Sequence, residues 1–174
     1  QTQAYRVVIE AHGDVLLGWV DDQLLFHVRD AVLAAGRVGL YCWANQRAFF
    51  DGLRVESLEH APVVFAPQAG SLDRWSAADV GGLGPSGWEA DADGIAQTSA
   101  VATFLLGGPA RDDVAVAVSL DASAVGIVGV AFRFRAVEDH YLFELDTPAG
   151  RRRLVRRVAD VASVLWEDAV APGA

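Results

Sequence analysis

Apolar residues recur at every second position along most of this chain, the period of a strand buried on one face. AYRVVIEA, VLLGWV, LLFHV, GRVGLYCW and FFDGLRVES hold that rhythm over the first 57 residues. Turns at His12-Gly13-Asp14 and Asp21-Asp22-Gln23 separate the first three, and a loop precedes the fourth. Residues 58–70 carry Pro62 and Pro67 around the short run VVF and read as a connector with room for one edge strand. Residues 71–87 read as loop, with Gly81, Gly82, Gly84, Pro85 and Gly87. The rhythm returns in GWEAD, GIAQTS, ATFLLG, DDVAVAVSLDA, GIVGVAFRFR, HYLFELD, RRRLVRRV and VASVLWED.

About thirteen short strands with almost no helical period predict an all-β fold, a two-sheet antiparallel β-sandwich. Each strand then places alternate residues in a shared interior. Counting by parity, Val38, Leu40 and Cys42 share one face and Tyr41, Trp43 and Asn45 the other. Phe132 and Phe134 oppose Arg133 and Arg135, while Tyr141, Phe143 and Leu145 oppose Leu142, Glu144 and Asp146. On the following strand Arg151, Arg153 and Arg157 oppose Arg152 and Arg156.

The chain has 174 residues, 52% of them hydrophobic and 21% charged, which suits one folded domain spanning 1–174. Its net charge of -9 opposes the phosphate backbone and argues against a nucleic-acid partner. All 14 basic residues are arginine and methionine is absent, which suggests a processed or excised piece. No apolar run is long enough to cross a membrane as a helix, and no charged-then-apolar leader is present, so membrane insertion is not expected. Cys42 is the only cysteine; within VGLYCW it reads as a buried small hydrophobe, and no intrachain disulfide can form. His12, His27, His60 and His140 show neither HxH nor HExxH spacing, and no serine sits in a GxSxG context. His140 alone, beside the arginines, is kept in view; its plain reading is an exposed residue at a strand edge.

GIVGVAFRFRAVEDHYLFELDTPAGRRRLVRRV resembles a segment of concanavalin-A-like lectin/glucanase (laminin-G-like) jelly-roll domains: a glycine-flanked strand ending in FRF, an acidic turn, a YxF strand and an arginine-rich strand. YRVVIEAHGDVLLGWVDDQLLFHV followed by GRVGLYCWANQRAFFDGLRVE resembles the closing half of the same domain type. The halves are therefore in circularly permuted order, with residues 1–57 as the closing half, 58–70 as connector and 71–174 as the opening half. Termini of such sandwiches are neighbours, so a connector of this length can join them. A cut taken from a tandem array, completed by exchange between chains, explains the same order; a monomer avoids the association entropy of that exchange.

The resemblance implies a non-catalytic binding or adhesion module of a larger extracellular or cell-surface protein, with carbohydrate or neighbouring domains as partners. A structural spacer without a sugar ligand and a glycoside hydrolase are the competing classes. Retaining glucanases of this fold carry an ExDxxE strand, whereas the nearest string here, Glu89-Ala90-Asp91-Ala92-Asp93-Gly94, ends in glycine and reads as a solvated turn. Sugar recognition needs flat aromatic faces and planar polar groups. If the polar strand faces adjoin, Tyr41, Trp43, Asn45, Arg133, Glu144 and Arg153 form that cleft, and its arginines would favour sugars bearing carboxylate or sulfate. The same residues can instead be cross-strand pairs that stabilise an exposed sheet. Related domains often hold a structural calcium near the final strand. Asp51, with the parity of Leu53 and Val55 and so facing the core, matches that ligand position, although Gly52 stands where many relatives carry a second acid.

Overall fold

The computed structural model describes residues 4–44, 48–58, 70–82, 84–121 and 126–169. Within them, fourteen strands form two antiparallel seven-stranded sheets. They are β1 (Ala4–His12), β2 (Val15–Val20), β3 (Gln23–Arg29), β4 (Gly36–Trp43), β5 (Ala48–Ser57), β6 (Trp75–Asp79) and β7 (Trp88–Ala90), then β8 (Ile95–Gln97), β9 (Thr103–Arg111), β10 (Val114–Asp121), β11 (Ile127–Ala136), β12 (Asp139–Asp146), β13 (Arg151–Val158) and β14 (Val161–Ala169). The first sheet runs β3-β2-β1-β10-β5-β8-β7 and the second β14-β13-β12-β11-β4-β9-β6. The architecture is that of an all-β sandwich, compatible with a jelly roll.

Local chemistry explains the hairpins. Asp21 and Asp22 between β2 and β3, and Ala159 and Asp160 between β13 and β14, all adopt positive φ. Two such residues in succession make the tight turn whose twist matches that of paired strands, and aspartate tolerates the conformation well. The strand absent from the sequence reading is β6: residues 75–79 pair with β9 from Trp75↔Gly107 to Asp79↔Thr103. WSAAD has no β-branched residue, and its extended form is imposed by the β9 edge.

Residues from both parts of the chain share one interior. Leu40 and Leu53 lie in the same buried cluster as Phe132 and Phe143. A second, smaller cluster of Phe104, Leu106, Ala131, Phe134 and Leu142 is separate from it, with Tyr41, Val80 and Val137 packed around. On β12, Leu142 has the opposite parity to Tyr141, Phe143 and Leu145 of the main cluster. The second cluster thus covers the outer face of the second sheet, which explains why FLL in β9 and the start of β11 are apolar without alternation.

Two parity expectations fail, each at a bulge. Arg133 adopts φ 46° where the β11 register slips against both β12 and β4. One extra residue reverses the face of everything beyond it. Phe132 therefore packs in the interior and Phe134 on the outer face, instead of sharing one side. On β5, Gly52 has φ 61° and the register slips against β10 between Ala117 and Ser119. Phe50, Leu53 and Val55 are buried while Asp51 is exposed to solvent, the reverse of the core-facing orientation expected for it.

Candidate functional site

The outer face of the second sheet holds a cavity of about 180 Å³. The sequence of strands across it places Tyr41 on β4 opposite Gly129 on β11, Gly129 opposite Glu144 on β12, and Glu144 opposite Arg153 on β13. Tyr41 and Glu144 are thus two strand spacings apart, roughly 10 Å. The residue between them has no side chain. A Cβ at Gly129 would lie 2.2 Å from the Phe143 carbonyl oxygen, so only glycine fits there. Tyr41, Glu144 and Arg153 all line the cavity, together with Phe104, His140 and Leu142.

Its aromatic wall is a contact chain. Tyr41 and Phe104 have ring centroids 4.7 Å apart, and Phe104 lies 4.9 Å from Phe134 and 4.9 Å from His140. His140 stacks on Phe134 at 5.5 Å with 18° between planes. His140 is buried, at 3% exposure, not exposed at an edge as its sequence position suggested. Nδ1 lies 3.3 Å from the Ala136 carbonyl oxygen, which can only accept, so Nδ1 carries the proton of the neutral ring. Burial pulls the imidazole down to about 4, against the smaller upward pull of the Ala136 carbonyl.

The polar wall is built from ion pairs. Arg153 donates from Nε to Glu144 Oε1 at 2.6 Å, and its Nη2 contacts the same oxygen. Burial pushes the Glu144 carboxyl above its usual range, opposed by the hydrogen bond from Arg153. Burial, reinforced by the nearby Glu144 charge, also pushes the Tyr41 hydroxyl up. Arg157, a second cation of the lining, pairs with Asp160 at 2.7 Å. The rest of β13 follows suit: Arg151 pairs with Asp146 at 3.0 Å, Arg152 with Asp168 at 2.7 Å and Arg156 with Asp30 at 2.5 Å.

The expected cleft is therefore assembled only in part. Tyr41, Glu144 and Arg153 converge. Trp43 has the parity of Tyr41, two residues further along β4, and is 48% exposed, outside the cavity lining. Asn45 lies outside the described residues, as do His60 and nearly all of the connector. Arg133 is elsewhere. Its guanidinium is fully buried and donates to Leu33 O at 3.1 Å, Gly13 O at 2.7 Å and Asp112 O at 3.1 Å, with Asp113 3.7 Å away. The bulge turns it away from the outer face, to clasp three loops at one end of the sandwich.

No protein-family model matches this chain, and no curated protein matches it. The site must be read from its own geometry. Phe104, His140 and Leu142 were not among the expected ligand contacts; the available signal was the unbroken apolar run in β9, which implies cover on both faces. Asp51 faces solvent, so its carboxylate is hydrated and needs no buried partner. Among the described residues, no group of three or more His, Cys, Asp or Glu side chains is arranged to hold a metal ion.

Proposed function

We propose that this chain is a non-catalytic carbohydrate-binding or adhesion module that holds its ligand in the groove between Tyr41 and the Glu144–Arg153 pair. The observation that carries this reading is the convergence on one cavity of an aromatic wall and a paired guanidinium and carboxylate. Rings pack against C–H patches of a sugar, while a fixed donor–acceptor pair meets adjacent hydroxyls. The cavity volume, about 180 Å³, suits one small ring rather than a larger ligand. Trp43, exposed beyond the groove, offers a stacking surface for a further unit.

A concanavalin-A-like jelly roll with permuted halves is the family reading that goes with this function, and the parent protein is then extracellular or on a cell surface. The non-catalytic part of the proposal rests on Glu144 and Asp146. They lie two residues apart on one face of β12, and each is held by an arginine. Glycoside hydrolysis requires one carboxyl free to give up a proton and another free to attack or to activate water. The Asp91 carboxylate instead closes a local turn, accepting from Asp93 N and Gly94 N.

Titration of the chain with a panel of oligosaccharides tests the proposal. Binding is expected, weakened about tenfold by Tyr41→Ala through loss of the stacked ring. Amide shifts on titration are expected on β4, β12 and β13. Absence of binding across the panel would favour a structural spacer, and shifts confined to the first sheet would place the ligand outside this groove.

A further inference from the structure

We infer that Glu144 is a specificity-determining residue: by engaging Arg153 it closes the groove to anionic ligands and restricts it to uncharged polyhydroxylated ones. The inference rests on the groove being the binding site, and it reverses the preference that the arginine content alone suggests. Among the described residues, four charged side chains line the cavity, Glu144, Arg153, Arg157 and Asp160, two of each sign. They are matched within the protein, Arg153 to Glu144 and Arg157 to Asp160. His140 adds no charge near neutral pH, because its buried ring stays unprotonated down to about pH 4.

A carboxylate or sulfate that took the Arg153 guanidinium would have to displace Glu144, whose side chain is only 7% exposed, and leave it without its cation. Stranding a buried charge costs far more than the new ion pair with the ligand can return. The field of the whole chain, at -9, acts in the same direction. A hydroxyl meets no such obstacle, since it can donate to the carboxylate and accept from the guanidinium without separating them. Rejection of the wrong ligand class by a built-in like charge is a general route to specificity.

Calorimetric titration of the full chain with neutral glucose and galactose oligosaccharides, and with counterparts bearing glucuronic acid or sulfate, tests this. The wild-type chain is expected to bind a neutral member at least about tenfold more tightly than its acidic counterpart. Glu144→Gln frees Arg153 and is expected to raise affinity for the acidic counterpart about tenfold. In a Glu144→Gln/Arg153→Gln double variant that rise should vanish, which ties it to the released guanidinium. Equal or tighter binding of acidic ligands by the wild-type chain overturns the inference while leaving the binding function in place, and this comparison needs no variant to fold. An unchanged neutral-to-acidic ratio in a folded Glu144→Gln chain overturns it too. If neither class binds, the groove is not the ligand site and both readings fall.

Discussion

A guanidinium taken out of water needs acceptors for its N–H groups, and Arg133 finds three in carbonyls belonging to three different loops. Truncation would orphan those carbonyls and leave Asp113 short of a cation. Arg133→Ala is therefore expected to lower stability by about 3–5 kcal/mol in urea denaturation, whereas Arg135→Ala, at an exposed position of the same strand, should cost no more than about 0.5 kcal/mol. Similar losses from the two variants would contradict the clasp. His140 is buried by the opposite means, as a neutral ring between Phe104 and Phe134. Its folded value of about 4 lies below the ordinary 6.5, so between those pH values the unfolded chain takes up a proton that the folded chain refuses. That contribution is fully present above pH 6.5 and is lost as pH falls towards 4, by on the order of 3 kcal/mol. His140→Phe keeps the ring packing without the titration. Melting temperatures from pH 7 to 4 should fall less steeply for this variant than for the wild type, and parallel curves would refute the assignment.

At the scale of single strands, the period-two rhythm locates elements well and orients them well only as far as the first bulge. β4 and β12 have the faces their parity implies, with Leu40 and Phe143 inside and Tyr41 and Glu144 outside. On β5 and β11 one extra residue inverts the count, so Asp51 faces solvent and Arg133 turns into the interior, against the parity of their neighbours. Gly52 marks its bulge chemically, because a left-handed residue in a strand favours glycine, but Arg133 marks its own with nothing. Half of the candidate groove was legible for the same reason: Tyr41, Glu144 and Arg153 sit on regular stretches, whereas Phe134, which backs Phe104 and His140, reaches this face only beyond the bulge. The β6 edge was illegible because its partner, not its composition, makes it a strand. The bulge on β5 has a measurable cost. Nothing lies within 4 Å of a Cβ placed on Gly52, so a side chain there meets only backbone strain. Gly52→Ala should lose about 1 kcal/mol with an unchanged denaturant slope, and Gly52→Asn less; equal stability of the alanine variant would mean that the bulge relaxes at no cost.

Across the whole molecule the decisive feature is how the two parts of the chain interleave. β10 lies between β1 and β5 in the first sheet, and β4 lies between β9 and β11 in the second. Residues 1–57 alone would keep the β1-β2-β3 meander but would lack the strand that joins it to β5, and β4 would have no hydrogen-bonded neighbour. Residues 71–174 alone would lose β4 from the middle of the second sheet, dividing β6-β9 from β11-β14, and would leave β10 with open edges on both sides. Each part thus supplies the centre of the other's sheet. Neither can bury its share of the interior around Leu40, Leu53, Phe132 and Phe143, and an unburied core cannot offset the entropy of ordering the chain. Expressed separately, both fragments are expected to give poorly dispersed amide spectra, and mixing them should restore the dispersion of the intact chain. The intact chain should unfold in one transition, with equal calorimetric and van't Hoff enthalpies, since neither sheet is complete without the other part. Protected amides in either isolated fragment would show that strand order in the sheets does not control cooperativity here.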